Sequence, residues 1–252
     1  MNLDLSDRVV LITGAGRGIG LATARAFAAE GARVALTYRQ SKDGVARLVN
    51  ELGGTDCAMS VRYALDEPES AEAAVAEIQA RWGRLDVAVV NAHQRGRRRP
   101  PGERFEDVDP AEWQPAVTDN VLGATRLAQL VLPGMRERGW GRLLFLSSHN
   151  VRHGRGGQEF YAAAKSALHG LARSLAWDAG PDGVLVNVVA PGLTLTEGVL
   201  EALPAALLEQ ERERTPTGRL TEPEAVADAV VFLASAANGN ISGEVLHVSG
   251  GR

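Results

Sequence analysis

Tyr161 and Lys165 stand four positions apart in "FYAAAKSA" (160–167), with only alanines between them. A phenol with a pKa near 10 is idle at neutral pH. Residues at this spacing share one face of a helix, so the Lys165 ammonium is predicted to lie one turn from the phenol. At ~5 Å and an effective dielectric of ~20, that charge favours phenolate by roughly 3 kcal/mol, which lowers the pKa by about 2. Tyr161 then becomes a usable proton donor and acceptor for a carbonyl or alcohol within reach.

A second chemistry is written in "TGAGRGIG" (13–20), directly after the apolar run "RVVLIT". The dinucleotide fingerprint G-x-G-x-x-G is not strictly met, because position 19 is Ile19; Gly14 and Gly16 are followed by Arg17, Gly18 and Gly20. Glycines at such a turn let the backbone approach a pyrophosphate held at a helix N-terminus. A plain glycine-rich turn is the alternative, and the place directly after the first strand argues against it. An NAD site usually presents a carboxylate at the end of the second strand. Here that place holds Tyr38 and Arg39 with no acid, and Arg17 lies nearby. Two guanidiniums suit a 2′-phosphate, so NADP(H) is expected over NAD(H); two solvated surface arginines are the bland alternative.

These groups need a scaffold. "RVVLIT", "RVALTY", "DCAMSVRY", "LDVAVVN", "GRLLFLSS", "VLVNVVAPG" and "EVLHVSG" read as strands, and helical stretches alternate with them. The second helix ends in glycine, and the third opens with a proline near its first turn. A long helix is predicted from about Ala111 to Arg138. Strand–helix alternation with nearly continuous apolar strands calls for an α/β fold: one doubly wound, parallel, seven-stranded sheet with helices on both faces. No linker or repeat divides residues 1–252.

Taken in order, "TGAGRGIG", Asn120 in "TDNVLG", Ser148 in "LFLSSHN", "YAAAK" and "NVVAPG" resemble the short-chain dehydrogenases/reductases over nearly the whole chain. That resemblance implies a Rossmann fold and specific roles. Tyr161 would protonate the substrate oxygen, Ser148 would hydrogen-bond it, and Lys165 would bind the nicotinamide ribose. Asn120 would hold a water that relays protons, although a helix-interior amide bonded to backbone is the plainer reading. Asn91, Pro191, Gly192, Thr194 and Thr196 would contact the cofactor. Residues of about 193–215, with Leu193 at their start, would form an apolar lid over the substrate. The helices around 111–138 and 160–180 would pack against further copies, giving a dimer or tetramer.

The chain also departs from the family pattern. His93 stands where a glycine is usual, as a space-filling side chain or a pocket residue, and the usual acid after the third strand is missing at Ala64 or Leu65. Two basic stretches, "QRGRRRPPGER" (94–104) and "HNVRHGR" (149–155, with His149, Arg152 and His153), fall on one rim. They read as solvated loops or as a positive mouth for an anionic, phenolic or carrier-bound substrate. An apolar lid over a basic rim points to a bulky, cyclic or polyketide-like ketone as the small-molecule substrate. Reduction of a 3-oxoacyl group on acyl carrier protein is the runner-up, with Arg138 and Arg173 as carrier contacts and Asp182 as an unfavourable sign. A catalytically silent NADP-binding protein is the alternative of another class.

Composition sets the remaining bounds. The net charge of −4 gives no footprint for nucleic acid, and no apolar run approaches membrane-spanning length. The N-terminal stretch shows no signal peptide, and no metal set is expected. Cys57, the single cysteine, fits a reducing cytoplasm and is expected to be a small buried residue.

Overall fold

The four residues of the first strand point alternately to opposite sides, and each side finds its own core. In β1 (Val9–Ile12), Val9 and Leu11 join one buried cluster, while Val10 and Ile12 join the other. Both clusters are apolar, so the strand reads as an unbroken hydrophobic run, as a sheet covered on both faces requires. The computed structural model of the protein describes residues 2–40 and 42–252.

The chain continues as α1 (Gly18–Ala29), β2 (Arg33–Tyr38), α2 (Lys42–Glu51), β3 (Ala58–Arg62), α3 (Pro68–Trp82) and β4 (Val87–Val90). It then runs through α4 (Pro110–Glu137), β5 (Gly141–Leu146), α5 (Asn150–His153), α6 (Glu159–Ala179) and β6 (Val184–Pro191). The last elements are α7 (Glu197–Ala202), α8 (Ala205–Glu213), α9 (Pro223–Ala234) and β7 (Val245–Val248). All seven strands are parallel, in the order β3-β2-β1-β4-β5-β6-β7. Side chains of α3, α4 and α6 fill one face, and those of α1, α2 and α9 fill the other. The chain reverses its direction of winding between β1 and β4, and a crevice opens there beyond the strand C-termini.

No helix among the described residues is long and apolar enough to cross a membrane. The expectation for Cys57 fails. Its thiol is exposed, because the strand begins only at Ala58 and Cys57 belongs to the turn that precedes it.

Candidate active site

The crevice is a cleft of about 880 Å³. Its nucleotide end is built from backbone. Gly14 donates from its N–H to Thr37 Oγ1 at 2.9 Å, and Thr13 Oγ1 accepts from the N–H groups of Asn91 and Ala92, each at 2.9 Å. Asn91 Nδ2 returns bonds to the carbonyls of Thr13 at 2.9 Å and Gly14 at 3.1 Å. Asn91 therefore rivets the ends of β1 and β4 together as well as lining the cleft.

The N-terminus of α1 opens into this end with no side-chain cap and no acid in its first turn. Its free N–H groups and positive dipole end suit an anion. Gly18 has φ +55°, and a Cβ there would lie 3.0 Å from Thr196 Cγ2. A Cβ on Gly20 would lie 2.3 Å from the Gly14 carbonyl oxygen, so α1 sits against the turn only because that atom is missing. This cradle fits a dinucleotide phosphate. Arg17, Ile19, Arg39 and Thr194 also line the cleft, whereas Gly16 does not, and Tyr38 packs against the core.

The acid sought at Ala64 or Leu65 arrives one position later. Asp66 lines the cleft and pairs with Arg39 at 2.6 Å. Tyr63, not singled out from the sequence, lies beside them. Its buried hydroxyl has no hydrogen-bond partner, and burial pushes its pKa up to about 12.

The reactive end is built from α6 and the end of β5. Lys165, Leu168 and Ala172 are buried along one stripe of α6, with Tyr161 one turn earlier. A lysine thus occupies a packing position. Lys165 Nζ donates to the Leu146 carbonyl at 2.7 Å, and complete burial drives its pKa down to about 7. Burial likewise raises the pKa of Tyr161, against smaller opposing effects of a hydrogen bond from Ser148 and the charge of Arg95. The expected ammonium-assisted drop is therefore not what this arrangement gives. Desolvation is the largest influence on both groups, and the Lys165 ammonium is committed to the Leu146 carbonyl.

Asn120 sits in α4, and its amide is fully engaged with backbone. Oδ1 accepts from Gln94 N at 2.9 Å, and Nδ2 donates to Gln94 O at 2.7 Å and to Ala116 O. The plainer reading of Asn120 is thus the observed one: it fixes the loop that leaves β4. His93, in that loop, places its ring 6.0 Å from the Tyr161 ring, edge on at 62°. His93 is nonetheless exposed and lines the cleft; crowding by neighbouring protein, then Lys165 and Arg95, lowers its imidazole pKa.

His149 is buried at the cleft wall with Nδ1 unpartnered, and burial followed by Arg252 takes its pKa to about 4. Pro191, Gly192, Leu193 and Thr196 also line the cleft, and the His149 N–H donates to the Pro191 carbonyl at 2.9 Å. Arg152 and His153 are exposed on α5 and do not line the cleft. Among the described residues, no group of three or more His, Cys, Asp or Glu could hold a metal ion.

A family model described as enoyl-(acyl carrier protein) reductase matches residues 14–252. The chain belongs to the short-chain dehydrogenase/reductase family. The dehydrogenase/reductase is 35% identical over 253 residues to the 3-oxoacyl-[acyl-carrier-protein] reductase FabG of Escherichia coli (strain K12), covering 99% of this chain and 98% of that one. It is also 35% identical over 254 residues to the short-chain reductase protein NovJ of Streptomyces niveus, covering 98% and 94%. Its fold matches 7α-hydroxysteroid dehydrogenase complexed with NADH and 7-oxo glycochenodeoxycholic acid, with TM-score 0.91 and 32% identity over 99% and 96% of the two chains. The protein is an oxidoreductase acting on CH–OH/C=O groups with a nicotinamide cofactor.

Proposed function

We propose that the protein is an NADPH-dependent ketoreductase for a bulky, partly apolar ketone of cyclic or polyketide type. The observation that carries this reading is the gathering of Ser148, Tyr161 and Lys165 at one end of a wide cleft, with Leu193, Val199 and Leu203 on its wall. A bound nicotinamide would supply the hydride. Tyr161, which burial keeps protonated at neutral pH, donates its hydroxyl proton to the ketone oxygen. Ser148 hydrogen-bonds the same oxygen and fixes it, and Lys165 holds the end of β5 through Leu146 while facing the ribose. Helices α7 and α8 form the lid over about 193–215.

Two arginines support the choice of NADPH. The Arg39–Asp66 pair is exposed, with side chains 57% and 39% accessible, and such pairs contribute little. A 2′-phosphate therefore displaces Asp66 at small cost and takes bidentate bonds from Arg39, with Arg17 beside it. The expected kcat/KM for NADPH exceeds that for NADH by roughly ten-fold or more. A preference for NADH, the cofactor in the steroid dehydrogenase complex, overturns this choice.

Similarity to FabG favours reduction of 3-oxoacyl groups on a carrier protein as a second reading. Its candidate contact Arg138 is committed elsewhere: it donates to the Leu85 carbonyl at 2.6 Å and faces buried Asp86, at the N-terminal ends of the strands. Asp182 is paired with Arg136. Exposed Leu122 on α4 and Trp177 on α6 support assembly into a homodimer or homotetramer through those helices.

A further inference from the structure

The arginines around the substrate end of the cleft fall into two sets. Arg97 pairs with Glu103 at 3.0 Å and Glu112 at 3.1 Å, and Arg99 pairs with Glu159 at 2.7 Å. The backbone N–H of Arg99 also donates to Gly157 O at 3.0 Å, and Glu159 accepts from Gly157 N at 2.9 Å. These bonds staple the loop after β4 to the turn before α6. They occupy Glu103, Glu112 and Glu159.

Arg95, Arg98 and Arg155 form the other set. Each lines the cleft, and none pairs with a carboxylate among the described residues. They also crowd one another: the pKa of Arg155 is lowered first by burial and then by Arg98, Arg252 and Arg95. The charge of Arg95 reaches both Tyr161 and His93. Arg95 and Arg98 are exposed and Arg155 is half-buried; like charges gathered on one wall repel, and an anion placed among them relieves that repulsion.

We propose that Arg95, Arg98 and Arg155 recognise a carboxylate carried by the ketone itself, close to the carbonyl that Tyr161 protonates. This rests on the ketoreductase reading of the same cleft. Guanidinium forks match carboxylate geometry. Arg95 and Tyr161 line the same cleft, which favours an anion fixed on the reacting skeleton over a phosphate at the far end of a thioester arm. Leu193, Val199 and Leu203 leave an apolar wall for that skeleton.

The test compares a tetralone carboxylic acid with its methyl ester, and acetoacetyl-CoA with acetoacetyl-N-acetylcysteamine, all with NADPH. The acid is expected to exceed its ester in kcat/KM by about ten-fold or more. That ratio should fall toward one in Arg98→Gln and Arg155→Gln, and with added salt. Equal turnover of acid and ester, or a ratio preserved in both variants, overturns the arginine site and leaves the ketoreductase reading standing. Preference for the CoA ester over its truncated analogue without any acid preference overturns it in favour of a phosphate. If no ketone is reduced while tryptophan fluorescence still reports NADPH binding, both readings fall.

Discussion

The two ends of the cleft are made by different means. At the nucleotide end, Thr13, Gly14, Thr37 and Asn91 exchange bonds that run mostly to backbone, and Gly20 leaves no room for even one carbon. At the substrate end, long side chains hold the loops through ion pairs such as Arg97–Glu103 and Arg99–Glu159, and arginines with no carboxylate partner among the described residues line the cavity. Backbone geometry cannot be tuned by small steps, since a new Cβ either fits or collides. Side-chain walls can be altered one charge at a time. A fold built this way keeps one cofactor chemistry and exchanges substrates along the other rim.

Tyr161 stands where the two ends meet, and its removal gives the largest effect. Tyr161→Phe should lower kcat by roughly a thousand-fold with nucleotide affinity unchanged, as loss of a general acid predicts. Turnover that survives intact in a folded, nucleotide-binding variant would remove the phenol from the chemistry. The rigid end is tested next by Gly20→Ala. Overpacking of about 1–3 kcal/mol should lower Tm by roughly 5 °C and weaken nucleotide binding. Leu203→Ala, on the adjustable wall, should move Tm by less than about 2 °C. Equal losses in the two variants would erase the contrast.

The smallest effect concerns Lys165. Its pKa is about 7 in the folded protein, against an ordinary 10.5, so below pH 7 both folded and unfolded states carry the proton and the full burial penalty applies. As pH rises from 7 to 10.5, the folded state releases its proton first and the penalty disappears. Lys165→Met should raise Tm by roughly 2–3 °C at pH 6, the lost bond to Leu146 offsetting part of the gain. The increment should vanish near pH 10; an increment independent of pH would show that the ammonium is not desolvated.

The strands and long helices were legible because both faces of the sheet are buried, so each strand is an uninterrupted apolar run. Tyr161, Ser148 and the glycine turn were legible by type and spacing. The Arg39–Asp66 pair was not, since its members lie on separate βα turns that the β2–β3 pairing brings together. Nor was the depressed lysine: spacing tells how near an ammonium lies to a phenol, and only packing tells how dry both are. α5 escaped because four residues carry no periodicity, and Cys57 because composition does not say where a strand begins.

That exposed thiol has a practical consequence. Every strand runs the same way, so Cys57, just before β3, lies on the rim opposite the cleft. As the sole cysteine in the chain, it offers a single handle for a maleimide dye or a solid support. Coupling there would orient every immobilised molecule with its mouth toward the solution.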